Sequence, residues 1–421
     1  MLPLLVYDDA LAALAPLNDL RPSFDVRCGA YTLLERLKRW TGGSDGLDLR
    51  LAGVIVPESR AGVTRETHPG LPVNAALAGD GECVLVNGRW ARCSPEALRE
   101  IQELGGRLVE QGTGEVLGVL AKAGDVQRLV AGDYAGYEPF EHAVASGKQV
   151  LSRPWHARTV RDGCLAMDLP TTRDDRRRTP KQTHLIGDAA LAIEGTATIG
   201  PGVILDLSHG AIAIDEHAVI RPGVTIIGPA YVGPHSTVLD RAIIKGGTAI
   251  GPWCKVAGEV GGTTFQGYAN KAHDGHLGDS WVGAWANLGA GTTNSNLLNT
   301  YGEVMARAFE PGGSGKPGPT ERTGEQFLGA TIGDHVKTAI CTRMMTGCVI
   351  GTGTMWAAGA AIAGTVPAFT WATDAGVRLY GIEKFLEVAR ASMGRRKLEL
   401  GKAMEARLRG LLAERGGAVG G

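Results

Sequence analysis

Eight aliphatic residues, Ile214, Ile220, Ile226, Val232, Val238, Ile244, Ile250 and Val256, stand six positions apart without a miss. Four residues after each comes a small or β-branched side chain: Ala218, Val224, Ala230, Ser236, Ala242, Thr248, Cys254 and Val260. A period of six is too long for an α-helical turn and too regular for a chain of hairpins. It suits a triangular coil in which each hexad supplies one short strand and one corner, three hexads closing a turn. The aliphatic residue then points into the prism, and the small residue fits beside it. Gly200-Pro201-Gly202, Pro222-Gly223, Gly228-Pro229 and Gly233-Pro234 supply tight corners. Shorter runs flank the main one: Ile193, Ile199 and Leu205 before it, and Ile332, Thr338, Met344, Ile350, Trp356 and Ile362 after it. Each coil buries its face only by stacking on its neighbours, so such a chain needs a cap at its end.

The composition fits a repetitive, turn-dense β architecture: 62 glycines against seven Phe and eight Tyr in 421 residues. With 43 Lys plus Arg and 44 Asp plus Glu, there is no net field to draw in nucleic acid or an anionic membrane, and any anion must be bound by local placement. Seven cysteines, an odd number and never spaced C-x-x-C, read as reduced thiols. The opening segment, with Asp8 and Asp9 and no basic start, does not read as a leader, and the expectation is a soluble cytoplasmic protein.

Residues 1–165 alternate strand-like and helix-like stretches (Leu4 to Tyr7, Thr32 to Trp40, Leu51 to Val56, Cys83 to Val86, Pro95 to Leu104), predicting an α/β domain. A polar, basic linker is expected over 166–184, the β-helix over 185–375, and a C-terminal helix and tail over 376–421. Leu386, Met393, Leu400, Met404, Leu408 and Leu411 form one apolar seam of a helix from about Ile382 to Glu414.

The rhythm is interrupted between Val260 and Val282 and again between Leu297 and Thr331, and interruptions of a solenoid are where binding loops sit. The first carries Asn270-Lys271-Ala272-His273-Asp274-Gly275-His276, a lysine and two histidines in six residues. Acyl transfer to an amine needs a base, donors for the oxyanion and a groove for a pantetheine arm, and a histidine suits the first role. A hydrogen-bonded loop histidine is the plainer alternative. A metal site lacks a third ligand at a fixed spacing, so the metal is left unknown. The second interruption holds Pro311-Gly-Gly-Ser-Gly-Lys316-Pro317-Gly318. It reads as a flexible loop and not a phosphate loop, because Pro317 stands where Ser or Thr is required and no strand precedes it.

Residues 258–300, with Asn270-Lys-Ala-His-Asp-Gly275 and Asn287-Leu-Gly-Ala-Gly-Thr-Thr-Asn-Ser-Asn296, resemble the acetyltransferase half of the bifunctional N-acetylglucosamine-1-phosphate uridylyltransferase/glucosamine-1-phosphate N-acetyltransferase family, and within it the sugar nucleotidyltransferase branch. The match runs over about 185–375, through Thr323-Gly-Glu-Gln-Phe327, Ile332-Gly-Asp-His335 and Pro367-Ala-Phe-Thr-Trp371. The resemblance implies a left-handed parallel β-helix, acetyl-CoA as co-substrate lying along 332–366, an amino sugar phosphate as acceptor and a homotrimer. It places the catalytic histidine on His273 and sugar contacts on Asn287 and Asn296. Lys245 of Lys245-Gly-Gly matches a phosphate-gripping position, and Lys271 and His276 join the expected substrate set. Two family tyrosines are replaced, by His276 and Leu297.

At the N-terminus, Asn18-Asp-Leu-Arg-Pro22 and Asp25-Val-Arg-Cys-Gly29 resemble the opening of the same branch's nucleotidyltransferase-like domain, without its glycine-rich loop. Arg21 and Arg27 are the expected nucleotide contacts, with UTP or dTTP as partner and Mg2+ if the domain turns over. The competing readings are a nucleotide-sugar binding or regulatory protein with a degenerate nucleotidyltransferase domain, and a purely structural trimer.

Overall fold

The computed structural model describes residues 1–11, 13–41, 47–77, 79–141, 147–310 and 315–419. The N-terminal part is an α/β layer built from β1 (Leu2–Tyr7), α1 (Leu33–Trp40), β2 (Leu49–Ile55), α2 (Glu58–Thr67), β3 (Glu82–Asn87), α3 (Pro95–Leu104), β4 (Arg107–Val109), β5 (Val116–Lys122), α4 (Val126–Val130), β6 (Pro139–Glu141) and α5 (His156–Asp168). The sheet runs β2-β1-β3-β5-β4-β6, with β1 parallel to both neighbours. Local signals start two of the helices. Thr32 and Glu35 make a capping box at the start of α1, and Ser94 caps α3 ahead of Pro95.

The hexads form a parallel β-helix with three walls of six, nine and five strands. All eight aliphatic positions of the main run and all eight partners four residues on are at most 1% exposed. The register confirms an 18-residue coil: Ile212 to Ile214 lie beside Ala230 to Val232, and those beside Thr248 to Ile250.

Four expectations need correction. Between Val260 and Val282 the coil does not break. Val260, Phe265, Lys271, Leu277 and Val282 continue the interior column with shortened corners, pairing with Ile244, Ile250, Val256, Val260 and Phe265 of the previous turns. The basic segment after Pro170 is not a free linker. Asp174 pairs with Leu191 and Arg173 bridges to Glu194, so it covers the first coil. The long C-terminal helix is a hairpin of α6 (Ile382–Gly394) and α7 (Lys402–Arg415), interrupted after Gly394 where Lys397 turns to φ 58°. The described residues of the excursion from Leu297 to Thr331, on either side of 311–314, are packed down, the hairpin of Met305–Ala306 and Glu321–Arg322 tied to the N-terminal part by Arg153–Glu321 and Arg158–Glu325 at 2.8 and 2.6 Å. Residues 311–314 of the expected flexible loop lie outside the described residues.

The nine-stranded wall is where the two halves meet. Successive side chains of a strand point to opposite faces, so Val282 fills the prism while Trp281 points out, into a cluster with Leu17, Val26, Leu151, Val160 and Cys164. The Trp281 indole donates to the Arg27 carbonyl at 3.0 Å. Arg161 of α5 donates to the Gly262 carbonyl and to Asp279. Gly262 has φ 55°, and a Cβ there would lie 2.6 Å from the Arg161 guanidinium, so glycine is required on both counts.

Candidate active site

One cavity of about 770 Å³ lies on the outer face of the five-stranded wall. Its floor is a column set by coil register: Lys255 beside Asn270, Asn270 beside Asn287, Asn287 beside Lys337. One rim is the corner that precedes these strands, where Tyr268 and Trp285 stack with ring centroids 4.6 Å apart. They belong to a longer ladder of His217, His235, Trp253, Tyr268, Trp285 and His335, one ring per coil, every member at positive φ. The opposite rim is the corner that follows, with Ala272, His273, Leu288 to Ala290 and Ile340. Ser392, Arg395 and Arg396, from the end of α6 and the hairpin turn, close it from above.

Among the described residues lining this cavity there is no carboxylate, against Lys255, Lys337, Arg395 and Arg396. Burial brings the Lys337 ammonium down to about 8, with Arg395 adding repulsion. His273 is exposed at the corner and borders a second, adjoining cavity of about 610 Å³ with Asp240, Asp274 and Cys341. Among the described residues no group of three His, Cys, Asp or Glu is gathered to hold a metal.

Of the residues expected from sequence, His273 and Asn287 share this cavity. Lys245, His276 and Asn296 lie around the corner on the six-stranded wall. Lys245 pairs with Glu259, whose carboxylate is held below its usual range by that lysine, and His276 Nδ1 stands 3.4 Å from Glu259. Asn296 donates to Asp279 at 2.8 Å and is drawn into the domain contact. Gly278 lets His276 and Asn296 approach each other, since a Cβ there would be 2.7 Å from a nitrogen of each.

Lys271 is not placed to touch a substrate. It occupies an aliphatic position of the interior column, 1% exposed, and its ammonium donates to the carbonyls of Ala257 and His273. Burial lowers it to about 8. It therefore holds the backbone of His273 from inside the prism.

Arg21 and Arg27 are also re-placed. Arg21 pairs with Asp334 at 2.8 Å and bonds the Leu17 carbonyl. Arg27 is buried against Glu35 and Gln266. Both sit in the segment that follows β1, which here straps the two halves together: Asp19 accepts from Thr352 and pairs with Arg415, and Arg407 donates to the Asp19 carbonyl. At the end of β1, Asp8 pairs with Arg60 and Asp9 with Arg89. A carboxylate set already spent on guanidinium groups does not fit a divalent cation.

Sequence reasoning missed Lys255, Lys337, Arg395, Arg396, Tyr268 and Trp285. Only the 18-residue spacing of His217, His235 and Trp253 hinted at the ladder. The floor column follows steps of 15, 17 and 50 residues that no repeat predicts.

Fold and site together define an α/β domain joined to a β-helix that carries a cationic cavity at a histidine-bearing corner. Residues 4–177 match the family model described as sugar nucleotidyl transferase. The chain is similar to the bifunctional protein GlmU of Acaryochloris marina, 33% identical over 117 residues, which is 27% of this chain and 24% of that protein. It is also similar to the bifunctional protein GlmU of a Cyanothece species, 28% identical over 190 residues, 44% of this chain and 34% of that one. The chain thus spans about a quarter to a third of the length of these curated relatives. Among solved structures, the UDP-N-acetylglucosamine acyltransferase of Francisella novicida aligns over 55% of this chain and 91% of its own at 13% identity and a TM-score of 0.32.

Proposed function

We propose that the β-helix half transfers an acyl group, acetyl in the first instance, from acyl-CoA to the amine of an amino sugar phosphate. The observation that carries this reading is the exposed His273 at the mouth of a cavity that also holds Asn287 and four cationic side chains. His273 takes a proton from the amine, the nitrogen attacks the thioester carbonyl, and collapse of the tetrahedral adduct breaks the C–S bond. The coenzyme thiolate leaves and is protonated. Asn287 orients the sugar. Incubating the protein with acetyl-CoA and a panel of amino sugar phosphates should release free thiol in step with acceptor consumed. Absence of acceptor-dependent thiol with every member would overturn the reading.

The N-terminal part, by its family match, takes a nucleotide or sugar nucleotide. The strap that replaces a glycine-rich loop favours weak binding with slow or no turnover, so the competing reading for this half is a nucleotide-sugar binding or regulatory domain. With six of seven cysteines buried and all seven free, and no described helix long and apolar enough to cross a membrane, the cytoplasm is the proposed place of work.

We also propose a homotrimer. Ile340, 73% exposed, lines both cavities at the His273 corner and marks apolar surface that a second copy would cover. Light scattering at micromolar concentration should give three times the chain mass of 44.0 kDa; a monomer would overturn the trimer.

A further inference from the structure

The sequence motif points to Lys245 as the grip on the acceptor's phosphate. Lys245 is half-exposed and already neutralised by Glu259, an arrangement worth little to an incoming anion in solvent. The cavity beside His273 has the opposite character. Lys337 rises from its floor, donating to the Trp285 carbonyl at 3.3 Å. From above, Arg396 donates to Asn270 Oδ1 at 2.9 Å, which aims its guanidinium at the floor column, and Arg395 lines the same space.

The turn that carries both arginines is rigidly mounted. On the α6–α7 hairpin Arg390 pairs with Glu405 at 2.6 Å. The start of α7 is fixed to α2 by Ala403 N–H donating to Glu66 at 3.0 Å, and its middle is fixed to the strap by Arg407 and Asp19. A turn held from both sides presents its charges at little ordering cost on binding, and paired N–H groups of arginine match phosphate oxygens.

Resting on the acyl-transfer reading, we propose that Lys337, Arg395 and Arg396 hold the phosphate or diphosphate ester of the acceptor, the hairpin acting as a clamp in the same chain. A dianion offsets the mutual repulsion of Lys337 and Arg395. The ester comes from a sugar 1-phosphate or from a nucleoside-diphosphate sugar; a cavity of about 770 Å³ admits either.

The test has one arm that needs no turnover. Calorimetric titration of the full chain with inorganic pyrophosphate should show binding that weakens at least about tenfold in Arg395→Ala/Arg396→Ala and in Lys337→Gln. It should stay within about twofold in Arg322→Ala, a cation removed from an exposed site 79% open to solvent. Equal pyrophosphate affinity in wild type and clamp variants overturns the clamp whether or not the protein acylates anything. In the kinetic arm, the clamp variants should raise KM for the phosphorylated acceptor about 10- to 100-fold with KM for acyl-CoA within twofold, and Arg→Lys at both positions should restore part of the loss. Comparing sugar 1-phosphate with nucleoside-diphosphate sugar identifies the ester by which KM moves more. A rise confined to KM for acyl-CoA would assign these cations to the coenzyme and sink the proposal.

Discussion

Replacing His273 by alanine is expected to lower acyl-transfer turnover about 10²- to 10⁴-fold, the usual worth of a positioned acid-base group, and to leave the unfolding transition where it was. The second half of that expectation comes from placement. The side chain is exposed at the corner, while the interaction that fixes the corner is made by the His273 carbonyl with the Lys271 ammonium, and that survives the substitution. His276→Ala should cost much less, because its imidazole faces Glu259 on the next wall and does not line the main cavity. Thiol release under saturating acyl-CoA and acceptor gives the comparison directly. Equal losses at the two histidines would argue for a shared metal or a different base and against His273 acting alone.

Asp168→Ala is expected to cost about 3–5 kcal/mol of stability, the penalty for stranding a buried charge. Asp168 and Arg36 are each 2% exposed, joined by two hydrogen bonds of 2.6 and 2.8 Å, and Arg36 also donates to the Ala91 carbonyl. The carboxylate keeps the guanidinium charged despite complete burial. Removing the aspartate leaves that charge without its counter-ion, and frees the Tyr31 N–H that Asp168 also accepts. The denaturant midpoint, followed by tryptophan fluorescence, reads the effect. The double replacement Asp168→Ala/Arg36→Met should recover a large part of it, since no lone charge then remains inside. A loss below about 1 kcal/mol in the single variant would mean that the Arg36–Asp168 pair is solvated.

What the corner sequence carries is local. His273 and Asn287 are positioned by one continuous stretch of coil, so a gapless match carries both to one cavity. Lys271 from the same stretch, and Arg21 and Arg27 from the N-terminal motif, have residue types that suggest ligand contacts, but their surroundings are other parts of the chain. A lysine read from a string of letters looks like a surface cation. Here its position in the coil puts it in the interior column, where Val256 stands one turn earlier. The two arginines lie in a segment whose partners, Asp334 and Gln266, are more than two hundred residues away.

What the sequence by itself determined was the prism up to Val260, with its period, its interior column and its glycine and proline corners, and helices α1 and α3 with strands β1 to β3 of the N-terminal layer, because these rest on spacing within a few residues and on local capping. Only the tertiary structure decided three things. The nine-stranded wall is covered by the N-terminal half, because Trp281 and Tyr231 point outward and the strap after β1 supplies their partners. The C-terminal helix folds back on itself, because Gly394 and Lys397 allow the turn and Asp19 and Glu66 reward it. The cavity gathers Lys255, Lys337, Arg395 and Arg396 beside His273. The last follows from stacking and folding-back across 141 positions of chain, from 255 to 395 and 396, where coil length and hairpin geometry set proximity and no sequence interval records it.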